Sequence, residues 1–254
     1  MCRHLAYLGP PTTLHDLVWA PEHSLVSQAS APRLQAHGRI NADGYGVGWY
    51  APGRVPPVRF RRAAPIWSDG SFASVAQATT SGCVVAAIRS ATVGMPVEES
   101  CTAPFTWGSL LFSHNGRALE HPRLRKALLP EVPPDCPEAY APVDSALLFG
   151  LTVAGVQAGR DLPGALAHTV EVARQHSDGR YNLLATDGDV IAATTCGDTL
   201  FTLRANDAVL VASEPIDGRL GWEPVPDDSL IVAAPGAVRV GPLRGTTTMD
   251  GTAP

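Results

Sequence analysis

The chain has 254 residues, 45% of them apolar and 17% charged, with 19 Lys+Arg against 24 Asp+Glu and a formal net charge of -5. That composition describes a compact domain with a sizeable core and argues against disorder. The acidic balance lacks the clustered Lys and Arg that phosphate-backbone binding needs, so nucleic acid is not an expected partner.

Residues 2–8 read as a short strand ended by Gly9-Pro10-Pro11, with a brief helix over 13–19. In 43–50, glycines 44, 46 and 48 alternate with Tyr45, Val47 and Trp49. One face of that strand carries only hydrogens, so something must pack close against it. Residues 58–62 fit its hairpin partner, and 68–79 a helix with Ser68 as N-cap. Cys83-Val84-Val85-Ala86-Ala87-Ile88 and Ser109-Leu110-Leu111-Phe112 are apolar runs of strand length, both expected to be buried on two faces. Residues 130–142, rich in Pro and acidic groups, read as a surface loop. Helical spacing follows over 144–156 and 163–175. Short strands are expected at 181–186, 190–195, 199–203, 208–212, 230–234 and 238–243, with Asp187-Gly188-Asp189 as a hairpin turn. Strands, then helices, then strands argue for antiparallel sheets covered by helices and against a doubly wound fold. Residues 2–244 are read as one domain after removal of Met1, and 245–254 as a flexible tail.

The five cysteines, at 2, 83, 101, 136 and 196, form no C-x-x-C pair, so neither a disulfide framework nor a zinc knuckle is expected. The only lysine, Lys126, follows no glycine loop, which removes the P-loop and disfavours Schiff-base chemistry. No signal peptide is legible, and the longest apolar stretch, around 146–156, is too short to span a bilayer. The expectation is a reduced, cytoplasmic protein with no membrane partner.

Cys2 is the first candidate for chemistry. Loss of Met1 would place a thiol and a free α-amino group on one residue; that amine titrates near 7.7–8.0 and can take the thiol's proton. On position alone, a small buried hydrophobe on an edge strand is the commoner explanation. Arg89 ends a buried strand and is suited to grip a carboxylate bidentately, or to sit in solvent. Asn115 and Gly116 offer a side-chain amide and a backbone N–H at what reads as a sharp turn, the donors of an oxyanion hole or simply an Asn-Gly turn. Asp144 opens a helix, as an N-cap or as the receiver of a substrate ammonium. Arg59, Arg61 and Arg62 read as a solvated strand face.

Cys2, Arg89-Ser90-Ala91-Thr92, Asn115-Gly116, Asp144-Ser145 and Ala212-Ser213-Glu214 occur in that order over about 210 residues. This set resembles the class II glutamine amidotransferases of the N-terminal-nucleophile hydrolase superfamily. Met1-Cys2-Arg3-His4-Leu5, the stretches 41–48 and 89–96, Gly197-Asp198-Thr199-Leu200 and Ala212-Ser213-Glu214-Pro215 are most similar to the γ-glutamyl-hercynylcysteine S-oxide hydrolases of ergothioneine biosynthesis, nearly end to end. Arg3 departs from the broader pattern, which has Gly after the nucleophile.

The resemblance implies an α+β fold, a four-layer α/β/β/α sandwich of two antiparallel sheets. It also implies an amidohydrolase cleaving the γ-glutamyl amide of a small-molecule substrate through a Cys2 thioester, with no metal or organic cofactor. In that reading Asn115 and Gly116 form the oxyanion hole. Arg89 and Asp144 hold the glutamyl carboxylate and ammonium, Thr92, His114, Arg3 and Asp43 complete the substrate site, and the glycines of 44–48 let backbone approach substrate or Cys2. Tyr45, Trp49 and Trp107 are candidate aromatic faces for the trimethylated histidine of the leaving group, with core packing as the alternative. Still open are a glutaminase subunit feeding a separate synthetase, a γ-glutamyl peptidase of glutathione-like thiols, and a non-catalytic amino-acid binding module. Oligomeric state is not legible.

Overall fold

The computed structural model describes residues 2–243. Expectations about Met1, the boundary at 244 and the tail 245–254 lie outside the described residues. Strand β1 (Arg3–Thr13) does not stop at Gly9-Pro10-Pro11 but runs through it. Its register against the neighbouring strand shifts between Leu8 and Thr12, an irregularity that absorbs prolines with no N–H to give. A Cβ at Gly9 would lie 2.5 Å from that of Ala208.

Helices α1 (Leu14–Val18) and α2 (Leu25–Ser30) follow, capped by the Thr13 and Ser24 side chains; α2 had no counterpart in the sequence reading. Next come β2 (Tyr45–Trp49) and β3 (Val58–Arg62), then α3 (Gly70–Ala78). The N-cap of α3 is Asp69, which accepts from the Phe72 N–H; Ser68 instead closes a 3-10 turn by donating to the Pro65 carbonyl. Strands β4 (Thr80–Ile88), β5 (Phe105–Trp107) and β6 (Leu110–Ala118) lead to helices α4 (His121–Leu128), α5 (Asp144–Gln157) and α6 (Leu162–His176). The C-terminal part adds β7 (Gly179–Thr186), β8 (Ile191–Thr194), β9 (Phe201–Ala205), β10 (Ala208–Ala212), β11 (Trp222–Pro224), β12 (Ser229–Ala234) and β13 (Ala237–Pro242).

Among the described residues these strands form a seven-stranded sheet, β11-β9-β10-β1-β4-β2-β3, and a six-stranded sheet, β13-β12-β8-β7-β6-β5, with antiparallel pairing in both. Leu14, Leu17, Leu25 and Phe72 of α1 to α3 pack with Leu5, Tyr45 and Val84 on the outer face of the first sheet. Leu124, Leu148, Phe149, Leu166 and Val170 of α4 to α6 pack with Phe112, Tyr181 and Leu183 on the outer face of the second. Between the sheets lies a third apolar cluster, including Ala6, Leu8, Val85, Leu111, Leu184 and Val211. The chain is therefore a four-layer α/β/β/α sandwich.

Three local expectations need correcting. Residues 130–142 are not a plain surface loop: they contain 3-10 turns at Leu129–Glu131 and Pro137–Tyr140, and Val132, Cys136 and Ala139 are buried against α5. Arg59 and Arg61 are not a solvated face, because both pair with Glu138 of that segment. The glycines of β2 do accept a close neighbour, but it is the segment 102–104 and Leu111, not Cys2 or an open substrate face. A Cβ at Gly48 would lie 2.7 Å from Leu111 Cδ2, and one at Gly46 would overlap the Ala103 carbonyl oxygen.

Candidate active site

Period-two alternation along β1 sends Ala6 and Leu8 into the inter-sheet cluster and Leu5 and Tyr7 to the outer face. The same alternation gives His4 and Cys2 the inner side and Arg3 the outer one. His4 is fully buried, with Nδ1 3.2 Å from Ser113 Oγ of the opposite sheet and Nε2 buried without a partner. Burial, with His114 and Arg3 adding their charge, pushes its pKa down to about 3.

Cys2 is half-buried and opens into a small cleft that it shares with Ala87, Ile88 and Arg89 at the end of β4, Cys101 to Ala103, Phe105, His114 and Ser145. The wall at 101–105 is fixed from outside. Glu138 accepts from Arg59 at 2.7 Å, from Arg61 at 3.2 Å and from the Thr106 N–H at 2.8 Å, while the same arginines donate to the Pro104 and Thr102 carbonyls.

Arg89 is 6% exposed and its Nη1 is buried without a partner, so a cation faces the cleft with no carboxylate among the described residues paired to it. Its backbone is held at both ends, donating to the Gly44 carbonyl and accepting from the Asp43 N–H. The Asp43 carboxylate accepts from the Ala91 N–H at 2.7 Å, so Asp43 shapes the turn after Arg89 from behind. Thr92 is half-buried in that turn, with its carbonyl on the Met95 N–H.

Asn115 and Gly116 lie inside β6, opposite Asn182 and Tyr181 of β7, and not in the sharp turn that the dipeptide suggests. Asn115 is fully buried; its Nδ2 is 3.5 Å from Ser213 Oγ and its Oδ1 has no partner. Ser213 Oγ also accepts from the His4 N–H at 3.0 Å, which ties the amide to the strand that carries Cys2. A side chain at 116 would overlap the Arg180 carbonyl oxygen and the His114 ring. His114 spans that space, its Nε2 donating to the Arg180 carbonyl at 2.9 Å. In the neutral ring Nδ1 then accepts from the Ser145 hydroxyl at 3.0 Å.

Asp144 is the first helical residue of α5, not its N-cap, which is Val143. Its two oxygens take the Ala118 N–H at 2.9 Å and the Ser145 N–H at 2.8 Å, joining the end of β6 to the helix. Oδ2 keeps a second lone pair, while Oδ1 also lies 3.5 Å from the Ser145 hydroxyl. Arg3 is fully buried away from the cleft lining. Its Nε donates to Gln35 at 3.2 Å and lies 3.5 Å from Glu214, whose other oxygen meets His23 and the Arg33 N–H, both at 2.8 Å. Burial lowers the Arg3 pKa, and Glu214 opposes that shift.

The structure thus brings Cys2, Arg89 and His114 to one cleft, sets Asn115, Gly116 and Asp144 just behind its wall, and leaves Asp43 and Arg3 as supports. Tyr45, Trp49 and Trp107 pack into the cores and do not line the cleft. The sequence reading gave no site role to Ser145, Cys101 or the 102–105 wall. The bare face of β2, which demands a close neighbour, was the one signal pointing to that wall.

Comparison with known proteins places this geometry. The family of glutamine amidotransferases class-II matches residues 25–208. The chain is 44% identical to the γ-glutamyl-hercynylcysteine sulfoxide hydrolase of Mycolicibacterium smegmatis, over 96% of this chain and 100% of that protein. It is 46% identical to the protein of the same name from Mycobacterium tuberculosis (strain CDC 1551 / Oshkosh), over 91% and 92% of the two chains. A class-II domain protein from Silicibacter pomeroyi, described as a glutamine aminotransferase, superposes with a TM-score of 0.70 at 22% identity, covering 96% of this chain and all of that one.

Proposed function

The chain belongs to the class-II glutamine amidotransferases, and from that premise we propose that it hydrolyses the γ-glutamyl amide of γ-glutamyl-hercynylcysteine S-oxide, giving glutamate and hercynylcysteine S-oxide. The observation that carries this reading is the Arg89 guanidinium, paired with no carboxylate among the described residues, in the cleft that Cys2 opens into, a receptor for a carboxylate beside a nucleophile.

In the proposed reaction the chain begins at Cys2. The thiol gives its proton to the α-amino group, directly or through water, and sulfur attacks the γ-carbonyl carbon. The oxyanion is held by the Asn115 amide and the Gly116 N–H, a class of donor worth about 2.7–4 kcal/mol each. Turning the Asn115 amide over lets the Ser213 hydroxyl donate to Oδ1 and frees both Nδ2 protons for the oxyanion. The C–N bond breaks as the amine receives the proton, leaving a γ-glutamyl thioester. Water then cleaves the thioester and restores the thiol. Arg89 takes the glutamyl α-carboxylate and Asp144 its α-ammonium through the remaining lone pair of Oδ2, with Thr92 in the turn between. These two anchors set the γ-carbon against sulfur.

The test is product formation by the purified chain. Glutamate should be released from the γ-glutamyl S-oxide conjugate with a higher kcat/KM than from glutamine, and Cys2→Ala should abolish turnover. Faster hydrolysis of glutamine would point to an ammonia-delivering subunit instead. Turnover that survives Cys2→Ala would remove Cys2 from the chemistry.

A further inference from the structure

The glutamyl cleft is lined from β5 by Phe105 and from β6 by His114, and β7 is the next strand beyond β6 in the sheet order β7-β6-β5. Residues two apart on a strand share a face about 7 Å apart. Arg180 therefore stands next along the row from Asn182, which is opposite Asn115. The Arg180 Nε is held by Asp198 Oδ2 at 3.1 Å, while Nη1 and Nη2 have no partner among the described residues. The arginine side chain is 20% exposed and the aspartate 3%.

The support beneath this pair is fixed in detail. The Asn182 amide uses both ends on the loop after β8, accepting from the Cys196 and Asp198 N–H groups and donating to the Asp198 and Thr199 carbonyls. Gly197 of that loop, at φ 89°, lies against the Arg180 stem, where a Cβ would come within 2.7 Å of Cγ. Thr199 in turn meets Arg3, the residue next to the nucleophile. Burial raises the Asp198 pKa, opposed first by Arg180 and then by Arg3. Arg117, exposed and opposite Arg180, adds positive charge at the same rim.

We infer that Arg180, locked through Nε by Asp198, is a specificity residue that receives the carboxylate next to the scissile nitrogen in the leaving amino acid. A guanidinium anchored at Nε presents its Nη edge as a fork, the geometry that binds a carboxylate with two hydrogen bonds. Ammonia leaving from glutamine has no such group. The subsite therefore separates γ-glutamyl amides of amino acids from glutamine and from γ-glutamyl amides of plain amines. This inference rests on the amidohydrolase reading above.

The test compares γ-glutamyl-S-methylcysteine S-oxide with the γ-glutamyl amide of 2-(methylsulfinyl)ethylamine, which differs only by lacking that carboxylate. The wild-type ratio of kcat/KM should favour the carboxylated substrate by roughly 10- to 100-fold, the scale of hydrogen bonds to a charged group. Arg180→Ala should bring the ratio close to one. Arg180→Lys should fall between, and Asp198→Asn should move the ratio the same way by less. A wild-type ratio near one overturns the subsite even if no variant folds. So does an Arg180→Ala enzyme that loses activity on both substrates by the same factor. A wild-type chain that releases no glutamate from the γ-glutamyl-hercynylcysteine S-oxide conjugate itself contradicts the amidohydrolase reading, and the subsite with it.

Discussion

The layer between the two sheets is built from the same strands at both of its ends, yet one end is dry and the other polar. Ala6 and Leu8, Val85, Leu111, Leu184 and Val211 fill one end, where the buried Thr186 hydroxyl beside the Cys83 thiol is a polar exception. Continuing along those strands on the same face come Cys2 and His4, Arg89, Ser113 and Asn115, Asn182 and Arg180, and Ser213. Two cysteines measure the contrast. The Cys83 thiol, at the dry end, is pushed up to about 12 by burial and stays protonated, whereas Cys2 is half-buried at the mouth of a cleft. The dry end gives cohesion, and the polar end carries buried donors and acceptors that the protein leaves unpaired: Arg89 Nη1, Asn115 Oδ1 and His4 Nε2. Unpaired buried groups lower stability, and these three face the polar end of this layer, where a substrate can complete them; others, on Arg3, Gln28, Asn41, His121, Arg125 and Glu214, lie outside it.

Mutations at the two ends should break different properties. Asn115→Ala should lower kcat by about 100- to 1000-fold with KM little changed, as expected for a donor used mainly in the transition state. Leu111→Ala, at the dry end, should lower unfolding free energy by about 2–5 kcal/mol while kcat at low temperature is kept. Steady-state kinetics and urea denaturation of both variants separate the cases. Equal kinetic damage from the two would contradict the division of labour.

A pH-dependent effect belongs to His4. The folded state holds it neutral down to about pH 3, while the unfolded chain takes a proton near 6.5. Its contribution to stability is therefore complete above pH 6.5 and is lost as pH falls from 6.5 towards 3. Over that window the loss approaches about 1.4 kcal/mol per pH unit from this one group. His4→Gln should flatten the pH dependence of the urea midpoint between those limits, and an unchanged slope would show that another group carries it.

The elements dominated by one clear period were legible in the sequence: β4, β10, α5 and α6 lie close to where apolar runs and helical spacing put them. Strand β6 was cut short because its apolar run ends at Phe112, just where the inner layer turns polar, and Asn115-Gly116 imitates a turn. Cys2, Arg89, Asn115 and Asp144 could be named from the order of short motifs. The Glu138 link to Arg59 and Arg61 could not, since it joins residues 79 and 77 positions apart and has no local signature. The stretch Gly197-Asp198-Thr199-Leu200 could be quoted from the sequence, but not the pairing of Asp198 with Arg180, which is set by how the loop after β8 crosses between the sheets.

The account depends on Cys2 as the atom that receives the γ-glutamyl group. Incubation of the active chain with a γ-glutamyl electrophile, followed by intact and peptide mass analysis, tests this directly. The predicted result is one adduct, on a peptide beginning at Cys2, with Cys83, Cys101, Cys136 and Cys196 unmodified. An adduct on another cysteine, or fully active enzyme that retains Met1, would contradict the account.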